Sequence, residues 1–325
     1  MIRTPFTALF GVQHPVVCGG MTGYGTAPLI GAVAEAGALG MLTALTQPSP
    51  EALAREIERT RSLTDKPFGV NLTILPTIHE VPYAEYRAVV VESGITVVET
   101  AGSSPVPHLP HLKAAGVRVI HKATSVRHAL AAERAGVDAV SIDGFECAGH
   151  PGPDDVPGLV LIPAAVRALS IPVIASGGFA TGSGMAAALA LGADAVNMGT
   201  RFIATEEAPV HPRVKDRVVA SSETDTVVIF RPFRNTARVV RNAIAEKIAT
   251  IEARPGATFA DVAELAAGAR GRQNVLVEGD VDGGLMWAGQ AMGLIDSVAP
   301  VREVVATIMA DAEELLGRRL PGLLA

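Results

Sequence analysis

An α/β fold, a (β/α)8 barrel with a small inserted domain after its eighth strand, is what the sequence predicts, and three observations predict it. Short apolar runs rich in β-branched residues alternate with Ala/Leu/Glu/Arg segments of helical period. The runs lack polar alternation, as strands buried on both faces of a parallel sheet do. Several helical segments close on Ala-Gly or Leu-Gly, the pattern of a glycine just past a helix C-terminus.

The first four apolar runs are PVVCGG (15–20), GMLTAL (40–45), FGVNLTI (68–74) and TVVETAG (96–102). The next four are VRVIHKA (117–123), DAVSIDG (138–144), IPVIASGG (171–178) and DAVNMGT (194–200). Between them lie the helical stretches TAPLIGAVAEAG, SPEALAREIERTRSL, YAEYRAVVVESG, PHLPHLKAAG, SVRHALAAERAG, LIPAAVRAL and GSGMAAALALG. Eight regular units between residues 15 and 200 favour a closed barrel over an open doubly wound sheet. After residue 205 the rhythm breaks into mainly helical sequence with one apolar stretch, TVVIF. The expected division is therefore a barrel of residues 1–208 and 275–325, with a mainly helical inserted domain at 209–274. GGLMWAGQAMGLID and VREVVATIMADAEELLGRRL read as two returning helices that complete the outer layer.

Composition sets the class. With 325 residues and 49% hydrophobic content the chain can bury a sizeable core. Lys plus Arg number 27 against 33 for Asp plus Glu, a net charge of −6, and no basic run offers a nucleic-acid surface. Cys18 and Cys147 form no CxxC pair and read as reduced thiols. The opening MIRTPFTALFGVQHP lacks the apolar core of a signal peptide, and no 18-residue apolar window occurs. The expectation is a cytoplasmic protein with neither nucleic-acid nor membrane partners.

Barrel enzymes carry their chemistry at the C-terminal ends of the strands. Those ends hold Gly19-Gly20-Met21, Asn71 with Thr73, Thr100-Ala101-Gly102, His121-Lys122, Asp143, Ser176-Gly177-Gly178 and Gly199-Thr200. The last two groups follow strands seven and eight, where backbone N–H groups make a phosphate cradle in this fold. Glycine admits the anion, and Ser176 and Thr200 add hydroxyl donors. The bland alternative is that these glycines only turn strand into helix. The polar ends around the cradle suit a flavin. Asn71, Lys122 and Asp143 can hydrogen-bond or charge-balance it, and Gly20-Met21 can lie along its edge. Lys122 can equally pair with a neighbouring acid, and Asn71 can cap a turn.

SIDGFECAGHPGPDD (141–155) is the least ordinary stretch. A loop that only turns needs no histidine at its mouth. Asp154-Asp155 is expected to cap the following helix. Cys147, with no paired base, reads as a small packed hydrophobe. HLPH (108–111) has metal-like spacing but no third ligand, and no metal is expected. GSGMAA (182–187) fits a dinucleotide fingerprint, yet position 202 is Phe where an acid would be needed, so it reads as a helix start.

Four long stretches carry a resemblance. They are VIHKATSVRHALAAERAGVDAVSIDGFECAGHPGPDD, IPVIASGGFATGSGMAAALALGADAVNMGTRFIATEEAPVHP, NTARVVRNA and WAGQAMGLID. Nearly the whole chain is similar to the FMN-dependent nitronate monooxygenase (2-nitropropane dioxygenase) superfamily, and more narrowly to its NADH:quinone reductase subgroup. The resemblance implies a (β/α)8 TIM barrel with an extra helical domain. It implies FMN contacts at Gly20, Met21, Asn71, Lys122, Asp143, Ala148, Gly149, Ser176, Gly177, Gly178, Gly199 and Thr200, with Thr73 contributing. His150 matches the active-site histidine. Pro153 stands where the family usually has an acid, which changes the outer contacts of the loop.

The expected activity is hydride transfer from NAD(P)H to tightly bound FMN, then two-electron delivery to a quinone. The alternative is oxidation of alkyl nitronates with O2, and a third reading is a flavin-binding barrel without turnover. The expected partners are small molecules, with a homodimer left open.

Overall fold

All eight apolar runs become strands. They are β1 (Val16–Cys18), β2 (Leu39–Thr43), β3 (Gly69–Ile74), β4 (Val97–Gly102), β5 (Arg118–Ala123), β6 (Ala139–Asp143), β7 (Val173–Ser176) and β8 (Ala195–Asn197). Each pairs in parallel with its successor, and β8 returns to β1 through Val16↔Val196 and Val17↔Asn197, closing a (β/α)8 TIM barrel. The structure is a computed structural model and describes residues 2–74 and 81–324. Helix α1 (Pro5–Phe10) precedes the barrel. The connections are α2 (Ala27–Glu35), α3 (Pro50–Arg61), α4 (Tyr83–Glu92), α5 (Leu109–Ala114), α6 (Val126–Ala135), α7 (Gly158–Ala168) and α8 (Gly182–Ala190).

Local chemistry starts and stops these helices. Ser49 accepts from Ala52 N at 3.2 Å with Pro50 at the first position of α3. Ser125 caps α6, which ends at Gly136 in the left-handed region, φ +98°. Thr181 accepts from Gly184 N at 3.1 Å, so GSGMAA is indeed the start of an outer helix.

Alternation along the strands sorts the barrel interior into two storeys. The lower one is apolar: Val17, Leu39, Met41, Val97, Ile120 and Ile174 cluster with Phe6 and Phe10 of α1. Helix α1 thereby stoppers the N-terminal end, and each buried ring contributes about 1.5–3 kcal/mol. Further along β3 to β8 the inward positions turn polar, giving Asn71, Glu99, Lys122, Ser141, Ser176 and Asn197. The register aligns Asn71 with Glu99, Lys122 with Ser141, and Ser176 with Asn197. This polar storey is the floor of the site.

Beyond β8 come α9 (Thr200–Ile203), α10 (Pro212–Val219), the antiparallel hairpin β9 (Thr226–Ile229) and β10 (Ala237–Val240), and α11 (Ala243–Glu252). The segment at 209–274 is therefore not helical alone. TVVIF forms one strand, and the short ARVV becomes its partner by pairing across the hairpin. Ile229, Phe230, Val239, Ile248 and Val262 form a core of their own, which Leu285 and Trp287 join from outside 209–274. We keep that division of the chain as a proposal.

Of the two returning stretches, the second forms the helix Val301–Glu314, which packs on α8 and α2. The first is not a helix. It runs extended into a single 3-10 turn at Gln290–Leu294. A Cβ at Gly289 would lie 2.7 Å from the Glu146 carbonyl and 2.9 Å from Ala148 N, so bare backbone threads past the 144–152 loop there. No helix among the described residues is long and apolar enough to cross a membrane.

Candidate active site

A cavity of about 1510 Å³ opens at the C-terminal ends of the strands. His150 and every expected FMN contact except Asn71 line it. Asn71 lies directly beneath Gly20, where a Cβ would come within 2.2 Å of Asn71 Cγ.

Asn71 is a buttress rather than a turn cap. Its Nδ2 donates to Glu99 Oε1 at 2.7 Å, and the same oxygen accepts from Gly20 N at 2.9 Å. Thr73 Oγ1 donates to Asn71 Oδ1 at 2.8 Å. Glu99 is fully buried, and its Oε2 has no hydrogen-bond partner among the described residues. In the sequence Glu99 gives one signal, a charge inside an apolar run. Asn197 Oδ1 accepts from Gly19 N at 3.0 Å, completing the support of the Gly19–Met21 turn.

Lys122 Nζ stands 3.9 Å from Asp143 Oδ2, so the ion-pair role and a place on the cavity wall coexist. Burial disfavours its ammonium, but Asp143 and then Glu99 outweigh that and hold its pKa above the ordinary lysine value. Asp143 Oδ1 is buried without a hydrogen-bond partner among the described residues.

After β7, Gly177 and Gly178 take φ of +89° and +82° in succession. A Cβ at Gly177 would lie 2.8 Å from the Gly144 carbonyl, so both space and conformation demand glycine. Across the cavity Gly199 abuts Met21, and Thr200 Oγ1 accepts from Gly289 N at 3.0 Å. That leaves the Thr200 hydroxyl hydrogen free to donate.

The loop bearing His150 is pinned at both ends. Gly144 N donates to the Ser176 carbonyl at 2.8 Å, and Phe145 N donates to the Val156 carbonyl at 3.0 Å. At its tip Gly149 bridges to Arg238 of β10. The buried Arg238 guanidinium lies 4.5 Å over the Phe145 ring and donates to the Phe145 carbonyl at 3.0 and 3.2 Å. His150 is exposed to the cavity and stacks on Trp287, with centroids 5.9 Å apart and planes 29° from parallel. Desolvation lowers its pKa below the ordinary histidine value. Neither Arg238 nor Trp287 was singled out in the sequence, because their contacts are made across long separations.

Two expectations about this loop need comment. Asp154-Asp155 does not cap α7; the Glu146 carboxylate does, accepting from Gly158 N at 3.0 Å through both oxygens. Asp155 instead pairs with Arg231 at 2.6 Å. Cys147 behaves as read: burial first, then the Asp143 charge, raises its thiol pKa and keeps it from acting as a thiolate.

A closed barrel with a polar storey, a glycine cradle after β7 and β8, and a pinned histidine at one mouth defines a flavin-dependent oxidoreductase. The particular family follows from comparison: residues 3–311 match the nitronate monooxygenase family, to which this chain belongs. It is an enzyme family, and its members are not alike in name. A protein of Rhodococcus jostii RHA1 named (3aS,4S,5R,7aS)-5-hydroxy-7a-methyl-1-oxo-octahydro-1H-indene-4-carboxyl-CoA dehydrogenase is 34% identical over 96% of each chain. A probable nitronate monooxygenase of Staphylococcus aureus strain Newman is 30% identical over 77% of this chain and 81% of its own. Among solved structures, FabK of Thermotoga maritima is 38% identical, with a TM-score of 0.92 over 99% of this chain and all of that one. Nitroalkane oxidase of Streptomyces ansochromogenes is 27% identical, with a TM-score of 0.82 over 97% of this chain and 99% of that one.

Proposed function

We propose that this chain is an FMN-dependent NAD(P)H:quinone reductase. The observation that carries the reading is the cavity of about 1510 Å³ with His150 stacked on its wall. Single-ligand pockets run to roughly 300–1,000 Å³. This one has room for a flavin and a second bulky, planar partner, more than a small nitronate needs.

The residues fit a flavin. The glycine pair at 177–178 and Gly199-Thr200 offer one terminal phosphate site, as FMN requires. The orphaned Asp143 Oδ1 offers an acceptor for a ribityl hydroxyl or a ring N–H. Lys122 offers a cation beside the ring. The small Ala148-Gly149 pair leaves the space next to His150 open; a Cβ at Gly149 would meet nothing within 4 Å. Bound FMN would supply a two-electron relay between NAD(P)H and the quinone. His150 then gives a proton to the quinone oxygen as charge develops there, and Trp287 holds the imidazole against the cavity wall.

Two other acceptors have specific support. The family description and the Staphylococcus aureus relative favour an alkyl nitronate with O2. The Rhodococcus jostii relative, matched over 96% of both chains, favours a CoA thioester. Anaerobic mixing with NADH or NADPH decides between reductase and monooxygenase. Rapid bleaching of the flavin supports the reductase; no bleaching, with turnover of propyl nitronate, overturns it. Heat-released cofactor should be FMN, and release of FAD would refute the single-phosphate cradle. The reading carries a cytoplasmic location, and sizing chromatography tests for a homodimer.

A further inference from the structure

The cavity lining carries more cations than carboxylates on a chain whose net charge is −6. Lys122, Arg231, Arg234 and Arg272 line the cavity, against Asp143 and Glu146. Most of these charges are matched within the protein. Lys122 faces Asp143, Glu146 holds the N-terminus of α7, and Arg231 reaches both carboxylate oxygens of Asp155, at 2.6 and 2.7 Å.

Arg234 and Arg272 are left over. Among the described residues neither has a carboxylate within ion-pair distance. Among the described residues Arg272 has only a 3.4 Å contact to the Thr46 carbonyl. Both side chains are exposed and line the cavity from segments that come after the barrel strands. The backbone around Arg234 is held in an uncommon shape. Phe230, Arg234 and Asp155 are the non-glycine residues with positive φ among those described, at +65°, +54° and +52°. All three belong to the turn carrying Arg231–Phe233 or to the ion pair that ties it to the His150 loop. Strain of this kind persists where surrounding structure fixes a segment, and it gathers at ligand clamps.

We propose that Arg234 and Arg272 form an anion seat for the phosphate groups of an adenosine nucleotide co-substrate, in which a ribose phosphomonoester adds to a pyrophosphate. A guanidinium recognises phosphate bidentately, and unmatched cations lining one cavity focus field on incoming anions. The inference deepens the reductase reading and rests on it for the identity of the cavity. Two sources share this chemistry: NADPH, through its 2′-phosphate, and a CoA thioester, through its 3′-phosphate. NADH carries the pyrophosphate alone.

The test is calorimetric titration of the FMN-loaded protein with NADPH, NADH, coenzyme A and inorganic phosphate, in wild type, Arg234→Gln, Arg272→Gln and the double variant. Each single change should weaken the phosphomonoester ligand about 10-fold, and the double change about 100-fold, with NADH weakened less. Wild-type affinity should fall steeply with added NaCl, and the double variant should lose most of that slope. Loss confined to NADPH identifies the pyridine nucleotide as the source; loss confined to coenzyme A identifies the thioester. Unchanged affinities in the double variant, or no binding of any probe by wild type, overturn the proposal. Flavin content and visible spectrum of the same samples report separately on the reductase reading. A protein that holds no flavin refutes that reading, and the same titrations of that flavin-free protein still report on the arginines.

Discussion

Gly149 and Arg238 exchange both backbone hydrogen bonds, 3.0 Å from Gly149 N and 2.6 Å back from Arg238 N. One residue carries the loop that presents His150, and the other sits on the second strand of the hairpin after the barrel. The hairpin is thus the outer support of the loop bearing His150, and through Asp155–Arg231 it holds the loop's far side as well.

Arg238→Met should loosen this support. It leaves the Phe145 carbonyl and Thr226 hydroxyl without their guanidinium donor, a loss of about 1–3 kcal/mol per unsatisfied buried group. Urea unfolding should show that loss. Hydrogen exchange at residues 145–150 should speed up, and kcat should fall more than flavin content. Unchanged exchange across the loop would refute the supporting role.

His150→Asn should keep the flavin bound, since the cradle glycines, Lys122, Asp143 and Thr200 are untouched. Turnover should drop by about 10²–10⁴-fold, the usual contribution of a positioned acid–base group. The loss should fall on the acceptor half-reaction, with hydride uptake from the nicotinamide least affected. Because desolvation lowers the histidine pKa, the imidazole is largely neutral at pH 7. A proton-donating His150 makes the acceptor half-reaction faster as pH falls towards a midpoint below 6.5 and slower above it. That limb should vanish in the variant. Equal rates across pH for both proteins would show that the loop only turns the chain.

Lys122→Met should make the flavin harder to reduce. Removing the cation that Asp143 and Glu99 act on leaves their charge unbalanced in the cavity where the flavin would bind, and a shift of about 30 mV to more negative potential corresponds to roughly 1.4 kcal/mol for a two-electron couple. Spectroelectrochemical titration checks this. An unchanged potential removes Lys122 from the cofactor's surroundings.

His121 gives a stability prediction with a defined sign. It is buried, with Nδ1 2.8 Å from Thr100 Oγ1, and burial, then the neighbouring His128, lowers its pKa to about 4 from 6.5. Between those values the unfolded chain binds a proton that the folded chain does not, so stability falls as pH drops from 6.5 towards 4. The loss approaches about 3 kcal/mol at the acid end. His121→Gln should flatten this part of the profile in urea unfolding at pH 7 and pH 4.5, and an equal pH dependence would contradict it.

The barrel was legible because its strands announce themselves as separate apolar runs and its helices by period and glycine stop. The glycine turns after β7 were legible for the same reason, and Gly177 and Gly178 do take the positive φ that glycine permits. What escaped depends on distant partners. Glu99 is invisible in TVVETAG until the register sets it beside Asn71. The four residues of β10 carry little signal without β9. WAGQAMGLID has helix-forming composition, but the Glu146 and Ala148 backbone crowds Gly289 and forces an extended path. Glu146 caps α7 from 12 residues away, a distance at which no local capping rule applies.

The phenylalanine stopper at the foot of the barrel has a consequence for traffic. With Phe6 and Phe10 closing the far end, the proposed reductase would admit reductant and oxidant from the same side of the barrel, to the same face of the flavin. Each must vacate before the other can dock, so turnover should alternate strictly between them, with parallel lines in double-reciprocal plots. Either reactant in excess should then act as a dead-end inhibitor of the other's half of the cycle.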